Sequence, residues 1–378
     1  MMNSQQTIGI VGGGQLGRML TLSALPLGFR VVVVDPSEDC PAAQVGAEQI
    51  KGDYYDEAAL RKLAEQSDFV TIEIEHIDAK VLETLAAAGV KVNPAPPTIQ
   101  MIQDKFAQKE FLAEAGVPVA PFAKLEGADD GAKLLQQFGG KMLVKTRTGA
   151  YDGRGNMVVA SEQELAEALE RFAGRKLYAE GFVTFEKELA IMAARGADGT
   201  VATYAVVETK HERNICVEVL APAAVNTEVA AQAEAVAKQV AGHMQGAGVF
   251  GIEMFLTSSG KVLVNEIAPR VHNSGHWTMN GAHTSQFEQH IRAVAGLPLG
   301  DTALSVPAAA MVNILGEGNH PTKLTGLAEA LAVPGVYVHL YGKTPTKVDR
   351  KMGHINAIGE TVEEARDRAR KARKELSI

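Results

Sequence analysis

The stretch Gly251 to Trp277, GIEMFLTSSGKVLVNEIAPRVHNSGHW, constrains this chain more than any other. Gly251 to Phe255 and Lys261 to Ile267 read as two short strands joined by the turn Thr257-Ser258-Ser259-Gly260. A two-residue loop at Ser259-Gly260 sets Ser258 against Lys261 and Glu253 directly opposite Glu266. Two carboxylates in that register repel unless one is protonated or a cation lies between them. Such a pair, completed by phosphate oxygens, is a common cradle for Mg²⁺. Arg270, His272, Asn273 and His276 follow at once, a run of donors suited to an oxyanion. A single glutamate there would be an ordinary solvated surface residue. Two in facing register, beside Asn265 and Arg270, point to a metal and phosphate site.

At 378 residues the chain predicts two or three domains, with a soluble composition of 46% hydrophobic and 22% charged residues. The formal net charge of −8 excludes a protein that coats nucleic acid, so an anionic substrate must be held by local basic clusters. The two cysteines, Cys40 and Cys216, form no CxxC pair, which predicts neither a disulfide framework nor a thiolate zinc site. The first apolar run, Ile8 to Val11, ends in glycines rather than continuing as a secretory segment, and no apolar run approaches the ~20 residues of a membrane span. The expectation is a reduced cytoplasmic enzyme.

Thr7 to Val11, the turn Gly12-Gly13-Gly14-Gln15-Leu16-Gly17 and Val31 to Val34 closed by Asp35 form a βαβ unit. It carries G-x-G-x-x-G with an acid after the second strand, the outline of a dinucleotide fingerprint. Taken alone, that motif allows an NAD-dependent oxidoreductase or a turn with packing value only. A strand from Phe69 to Glu75 places Glu73 and Glu75 on one face. A helix from Asp78 to Ala88, a short strand at Val90 to Val92 and the proline-rich 93–97 close the first unit. Asp104 to Ala115 reads as an amphipathic helix whose Lys105 sits against the dipole unless it reaches a phosphate.

The strand Met142 to Lys145 leads into a basic, glycine-rich loop from Thr146 to Asn156, suited to phosphate although no GxxxxGK[ST] occurs in the chain. Lys176 to Ala193 and Val201 to Glu208 read as antiparallel strands carrying Glu180 and Glu188, with His211 beyond. Thr227 to Met244 is a core helix. After a helix from Ser285 to Ala295 come strands near Ala309 to Ile314 and Val336 to Tyr341, then a terminal helix from Val362 to Leu376. The basic run Lys343 to Lys351 lies between them, either a solvated loop or the cap on a substrate phosphate.

These residues carry a resemblance. Lys145 before a glycine loop, the hairpin with Asn265-Glu266 and an N-terminal βαβ unit without a Walker A loop resemble the ATP-grasp superfamily. Within it, Gly12-Gly13-Gly14-Gln15-Leu16-Gly17-Arg18-Met19, Tyr151-Asp152-Gly153-Arg154-Gly155 and the run from Asn265 to His276 closely resemble the N5-carboxyaminoimidazole ribonucleotide synthetase family of purine biosynthesis. That family usually has glycine where Ala150 stands and glutamine where Asn156 stands.

The resemblance implies an α/β ATP-grasp architecture in three parts. These are a Rossmann-like substrate domain over 1–103, an ATP-grasp domain over 104–298 with a lid at about 120–185, and a C-terminal domain over 299–378. It implies an ATP- and bicarbonate-dependent carbon–nitrogen ligase that carboxylates 5-aminoimidazole ribonucleotide through carboxyphosphate, with ATP and Mg²⁺ as cofactors and a homodimeric assembly. ATP positions match Lys105, Lys145, the loop Ala150, Tyr151, Asp152, Gly153, Arg154, Gly155 and Asn156, then Glu180, Gly181, Phe182, Val183, Glu188, His211, Asn265 and Glu266. Mg²⁺ positions match Glu253 and Glu266. Gln15, Leu16, Glu73, Tyr151, Arg154, Asn273, Lys343, Arg350 and Lys351 match the ribonucleotide positions. Catalytic roles fall to Arg270, His272 and Asn273 on bicarbonate, with Glu73 or Asp152 as base. A formate-dependent glycinamide ribonucleotide transformylase shares the metal pair and is the rival within the superfamily.

Overall fold

The computed structural model of the chain describes residues 5–149 and 155–378. Among them, three sheets organise the molecule.

The first is parallel, in the order β3-β2-β1-β4, from β1 (Thr7–Val11), β2 (Arg30–Asp35), β3 (Glu48–Lys51) and β4 (Phe69–Ile72). All five residues of β1 are buried, as an unbroken apolar run between two helical layers requires. The sequence hides β3 because only Ile50 of its four residues is buried. The expected strand at Val90 to Val92 is reduced to a single bridge between Val70 and Val92. The strand expected to reach Glu75 stops at Ile72, so Glu73 and Glu75 leave the sheet and turn to different partners.

The second sheet is antiparallel, in the order β5-β8-β6-β7, from β5 (Phe122–Leu125), β6 (Met142–Thr146), β7 (Asn156–Val159) and β8 (Leu177–Gly181). It closes over its own small core, which includes Leu134, Met142, Val144 and Leu165. The single strand expected from Lys176 to Ala193 is in fact two. The chain leaves β8 at Gly181 and enters the third sheet as β9 (Phe185–Arg195). Apolar pattern cannot reveal that break, because the partners on either side decide it: β6 for one half and the strand Gly248–Thr257 for the other.

The third sheet adds β10 (Val201–Thr203), β11 (Val207–Glu212), β12 (Ile215–Ala221), β13 (Gly248–Thr257), β14 (Val262–Ala268), β15 (Ala308–Leu315), β16 (Val336–Leu340) and β17 (Lys351–Gly359). Its order is β14-β13-β9-β11-β12-β15-β17-β16, with β10 beside β9. The C-terminal strands therefore continue the sheet that carries the opening hairpin, through the pairing of β12 with β15. The helix Thr227–His243 packs Val229, Ala233, Val236 and Val240 beneath β9, β13 and β14. Among the described residues, no helix is long and apolar enough to cross a membrane.

Candidate active site

The hairpin β13–β14 does set Glu253 opposite Glu266, by a different route from the one expected. The turn is a three-residue loop in which the Thr257 N–H donates to the Lys261 carbonyl at 2.9 Å and Gly260 is left-handed (φ 77°). Leu256 then pairs with Val262 and Met254 with Val264, a register that would set Glu253 against Asn265. A bulge between Glu253 and Met254 restores the facing pair. In a regular strand neighbouring side chains point to opposite faces, whereas a bulge lets two successive residues face one way. Asn265 and Glu266 accordingly both open into the cleft, while Val262, Val264 and Ile267 go to the core. The spacing of those three apolar residues, two and then three, was the available sequence signal.

Behind the bulge, the helix Lys105–Glu114 presents Lys105, Gln108 and Lys109 on one face. Asp104 caps it by accepting from the N–H groups of Phe106 and Ala107, and also holds the Arg147 guanidinium at the base of the glycine-rich loop. Lys105 Nζ donates to Glu266 Oε2 at 2.9 Å. Gln108 takes both the N–H and the carbonyl of Ile267, satisfying backbone that the bulge removes from the ladder. Lys109 is buried and meets Glu180 Oε1 at 2.8 Å, and Lys145 Nζ meets Glu180 Oε2 at 2.5 Å. Gln108 and Lys109 escaped sequence reasoning, although they share the stripe that begins at Lys105.

A cavity of ≈ 270 Å³ lies over the hairpin. Of the expected nucleotide residues, Lys105, Lys145, Gly155, Asn156, Glu188, His211, Asn265 and Glu266 line it, together with Glu253. Glu180, Gly181, Phe182 and Val183 do not. The Glu180 carboxylate is consumed by its two lysines, and Phe182 lies under Lys141, whose Nζ is 3.7 Å from the ring centre. Ala150, Tyr151, Asp152, Gly153 and Arg154 lie outside the described residues.

A second cavity of ≈ 860 Å³ adjoins the first. It brings together Gln15, Leu16, Glu73, Lys343, Arg350 and Lys351 from the two ends of the chain. Arg270, His272, Asn273, Glu75 and Lys351 line both cavities and so form their common wall. Glu75, absent from the expected catalytic set, holds Arg270 in a two-pronged pair at 2.6 and 3.0 Å. With the bond from Arg270 Nη1 to the Val271 carbonyl, this occupies three of the five guanidinium N–H groups and orients the rest.

Burial works against the Glu75 charge, but the adjoining guanidinium outweighs it and pulls the carboxyl down to about 2. Burial, reinforced by Arg270 and Lys351, pushes His272 down to about 3, so its ring is neutral. Its Nδ1 lies 2.9 Å from Ser274 Oγ and its Nε2 3.6 Å from Glu253 Oε1. Gln286 fixes the backbone beneath that ring by binding both the His272 N–H and carbonyl. Both side-chain polar atoms of Asn273 are buried in this wall with no partner among the described residues. Burial raises the Glu253 carboxyl above its ordinary value and the facing Glu266 raises it further, against the opposing pull of His211 and Lys105. His211 is raised as well: burial opposes its charge, but the Glu188 carboxylate 2.8 Å away prevails.

The G-x-G-x-x-G turn is already occupied by protein. Glu73 accepts from the N–H groups of Gly14 (2.6 Å) and Gly17 (2.9 Å), where a dinucleotide pyrophosphate would have to sit. Asp35 turns inward to the Gly13 N–H and the Tyr54 hydroxyl rather than outward to a ribose. Helix-terminal N–H groups engaged in this way hold a carboxylate in place beside the second cavity.

Family models match along the chain in the same order as these parts. A ribonucleotide synthetase preATP-grasp domain matches residues 5–103, an ATP-grasp domain residues 110–287 and a phosphoribosylaminoimidazole carboxylase C-terminal domain residues 309–368. The N5-carboxyaminoimidazole ribonucleotide synthase of Brucella melitensis is 39% identical, over 93% of this chain and 96% of that protein. The chain belongs to the N5-carboxyaminoimidazole ribonucleotide synthase family. It is thus an ATP-grasp, ATP-dependent ligase, of mixed α/β architecture with a preATP-grasp domain, an ATP-grasp domain and a C-terminal domain. The phosphoribosylaminoimidazole carboxylase of Ogataea methanolica is 45% identical over 94% of this chain, which spans 67% of that protein's length. Among solved structures of the family, the synthetase from Thermotoga maritima superposes with a TM-score of 0.89 at 43% identity, covering 99% of each chain. The Aspergillus clavatus enzyme in complex with ADP and 5-aminoimidazole ribonucleotide gives 0.91 at 38% identity, again over 99% of each.

Proposed function

We propose that this chain carboxylates 5-aminoimidazole ribonucleotide to N5-carboxyaminoimidazole ribonucleotide, using ATP and bicarbonate, in purine biosynthesis. One observation carries the reading: two adjoining cavities share a wall of Arg270, His272, Asn273 and Lys351. The nucleotide occupies the first cavity, the ribonucleotide the second, and bicarbonate the wall between them. Lys105, Lys145, Asn156, Glu188, His211 and Asn265 hold the nucleotide, the run Ala150 to Gly155 is assigned to the same ligand, and Glu180 to Val183 form a linker to the lid.

Glu253 and Glu266 fit Mg²⁺, since they face each other across the hairpin, Glu266 raises Glu253 even with Lys105 on Glu266, and phosphate oxygens would complete the donor set. When bound, the ion neutralises charge on the transferring phosphate. Phosphoryl transfer asks chiefly for alignment and charge stabilisation. Arg270, held in place by Glu75, orients bicarbonate toward the γ-phosphorus. The neutral His272 and the unpartnered amide of Asn273 supply hydrogen bonds to bicarbonate and to the carboxyphosphate formed from it. The ribonucleotide amine then captures the carboxyl group or its CO₂ as the C–O bond to phosphate breaks and inorganic phosphate leaves, and Glu73 or Asp152 takes the amine proton. Glu73 suits that role because burial raises its pKa more than the Gly17 and Gly14 N–H groups lower it. Carboxyphosphate hydrolyses readily, so the reaction requires that water be kept from the shared wall.

The division at residues 103 and 298, a homodimeric assembly and a cytoplasmic setting are parts of the same proposal, the last supported by two buried free cysteines. The deciding experiment measures ADP release with aminoimidazole ribonucleotide, with bicarbonate, with formate and with neither. Stimulation by bicarbonate alone is expected. Stimulation by formate would move the chain to the glycinamide transformylase reading.

A further inference from the structure

The turn joining β11 to β12 stands where the two cavities meet. His211 and Asn214 line the first, while Arg213 and Ile215 line the second. Arg213 and Asn214 are both left-handed (φ 49° and 62°), a hairpin turn that favours asparagine or glycine. An arginine gains nothing from that backbone, so its contribution lies in its side chain. The guanidinium crosses to the loop before β17, where Nη2 donates to Asp349 Oδ1 at 2.6 Å. Asp349 is also left-handed (φ 63°) and is tied by its N–H to the Gly316 carbonyl at 3.0 Å, so its carboxylate is presented from fixed backbone.

Lys343, Lys347, Arg350 and Lys351 line the same cavity, and none forms an ion pair among the described residues. Six arginines and lysines against Glu73, Glu75 and Asp349 leave the lining net cationic, and Asp349 is the acid that sits within the basic run Lys347 to Lys351. The Arg213 side chain is 68% exposed, so its pair with Asp349 contributes little to stability and is cheaply exchanged.

We propose that Asp349 is a provisional counter-ion and that Arg213 exchanges it for the phosphomonoester of the ribonucleotide. The incoming dianion repels Asp349 and offers several oxygens to the guanidinium fork. The exchange draws the β11–β12 turn over the second cavity and makes Arg213 a specificity residue for the phosphorylated substrate. The inference rests on the second cavity being the ribonucleotide site.

Steady-state kinetics of Arg213→Gln, Arg213→Lys and Asp349→Asn test it, with thermal melts to confirm folding. Arg213→Gln is expected to raise the ribonucleotide KM about tenfold, the value of one charge-assisted contact, with a smaller change in kcat. Arg213→Lys recovers part of that loss. Asp349→Asn, which frees the arginine beforehand, lowers the ribonucleotide KM. The preference for ribonucleotide over the unphosphorylated riboside narrows in Arg213→Gln. An unchanged KM in Arg213→Gln overturns the exchange, as does an Asp349→Asn KM that rises in parallel, which would mark a purely structural clasp. Wild-type protein that shows no ribonucleotide-stimulated ADP release would instead refute the proposed function itself, and the exchange with it.

Discussion

Glu180→Gln tests the buried charge cluster that supports the nucleotide cavity. Glu180 and Lys109 have side chains only 2% exposed, and Lys145 is 14% exposed. Removing the carboxylate leaves Lys109 buried without its counter-ion, a class of change that costs about 3–5 kcal/mol. An independent ceiling comes from deprotonating the stranded lysine. From a reference value of about 10.4, that costs about 1.36 kcal/mol per pH unit, or about 4.6 kcal/mol at pH 7. The two figures agree.

The pH dependence has a definite sign. Burial already lowers Lys109 in the wild type, and Glu180 opposes that shift, so Lys109 falls further in the variant. Between that lower value and about 10.4 the unfolded chain binds more protons than the folded one, and the variant gains stability as pH rises. Glu180 itself is held below its ordinary value because its two lysines outweigh burial. Its own contribution is therefore present above the ordinary carboxylate range and is lost on acidification. Urea unfolding followed by circular dichroism at pH 6.5, 8 and 9.5 should show the deficit of Glu180→Gln shrinking by up to about 1.4 kcal/mol per unit. Combining it with Lys109→Met should restore most of the loss, since the fully buried ammonium is gone and Lys145, 14% exposed, keeps some access to water. A deficit under about 0.5 kcal/mol at pH 6.5, or one that does not change with pH, would refute the reasoning.

Arg270→Ala should cut bicarbonate-dependent turnover about 10²–10³-fold while ADP binding, measured by calorimetry, survives; loss of both would collapse the division between the cavities. Because a proton on Glu253 competes with a cation, Mg²⁺ support of nucleotide binding should strengthen from pH 5.5 to 8 in the wild type. Glu253→Gln should both weaken that support and flatten the profile, and an unaltered profile would dismiss Glu253 as a ligand. Gly14→Ala places a Cβ 2.6 Å from Glu73 Oε1, so it should raise the ribonucleotide KM more than the ATP KM and cost about 1–2 kcal/mol of stability. Equal effects on both KM values would detach Glu73 from the second cavity.

Much of this was legible in the chain. The glycine turn, the facing glutamates and the run from Arg270 to His276 are local features, read from residue type and short spacing. What escaped was of two kinds. The bulge at Asn265 and the loop at Gly260 shift the hairpin register in compensating ways, so the facing pair came out right although the turn did not. The partners of the key groups (Glu75 for Arg270, Lys109 and Lys145 for Glu180) lie on other elements, and no periodicity links them. The strand β17 was missed because it opens inside a basic run and buries His354 and Asn356, polar residues that weaken its apolar signal.

By itself, the sequence determined the strongly periodic elements and which side chains bear charge at their ends, because helix period, strand alternation and turn chemistry act over a few residues. Only the tertiary structure decided that β8 and β9 part into different sheets and that β12 carries the main sheet into the C-terminal strands. It alone brought Lys343 and Lys351 to the glycine turn of the first strand. Those meetings join residues far apart in the chain, and backbone pairing and packing choose them among many partners of equal local merit.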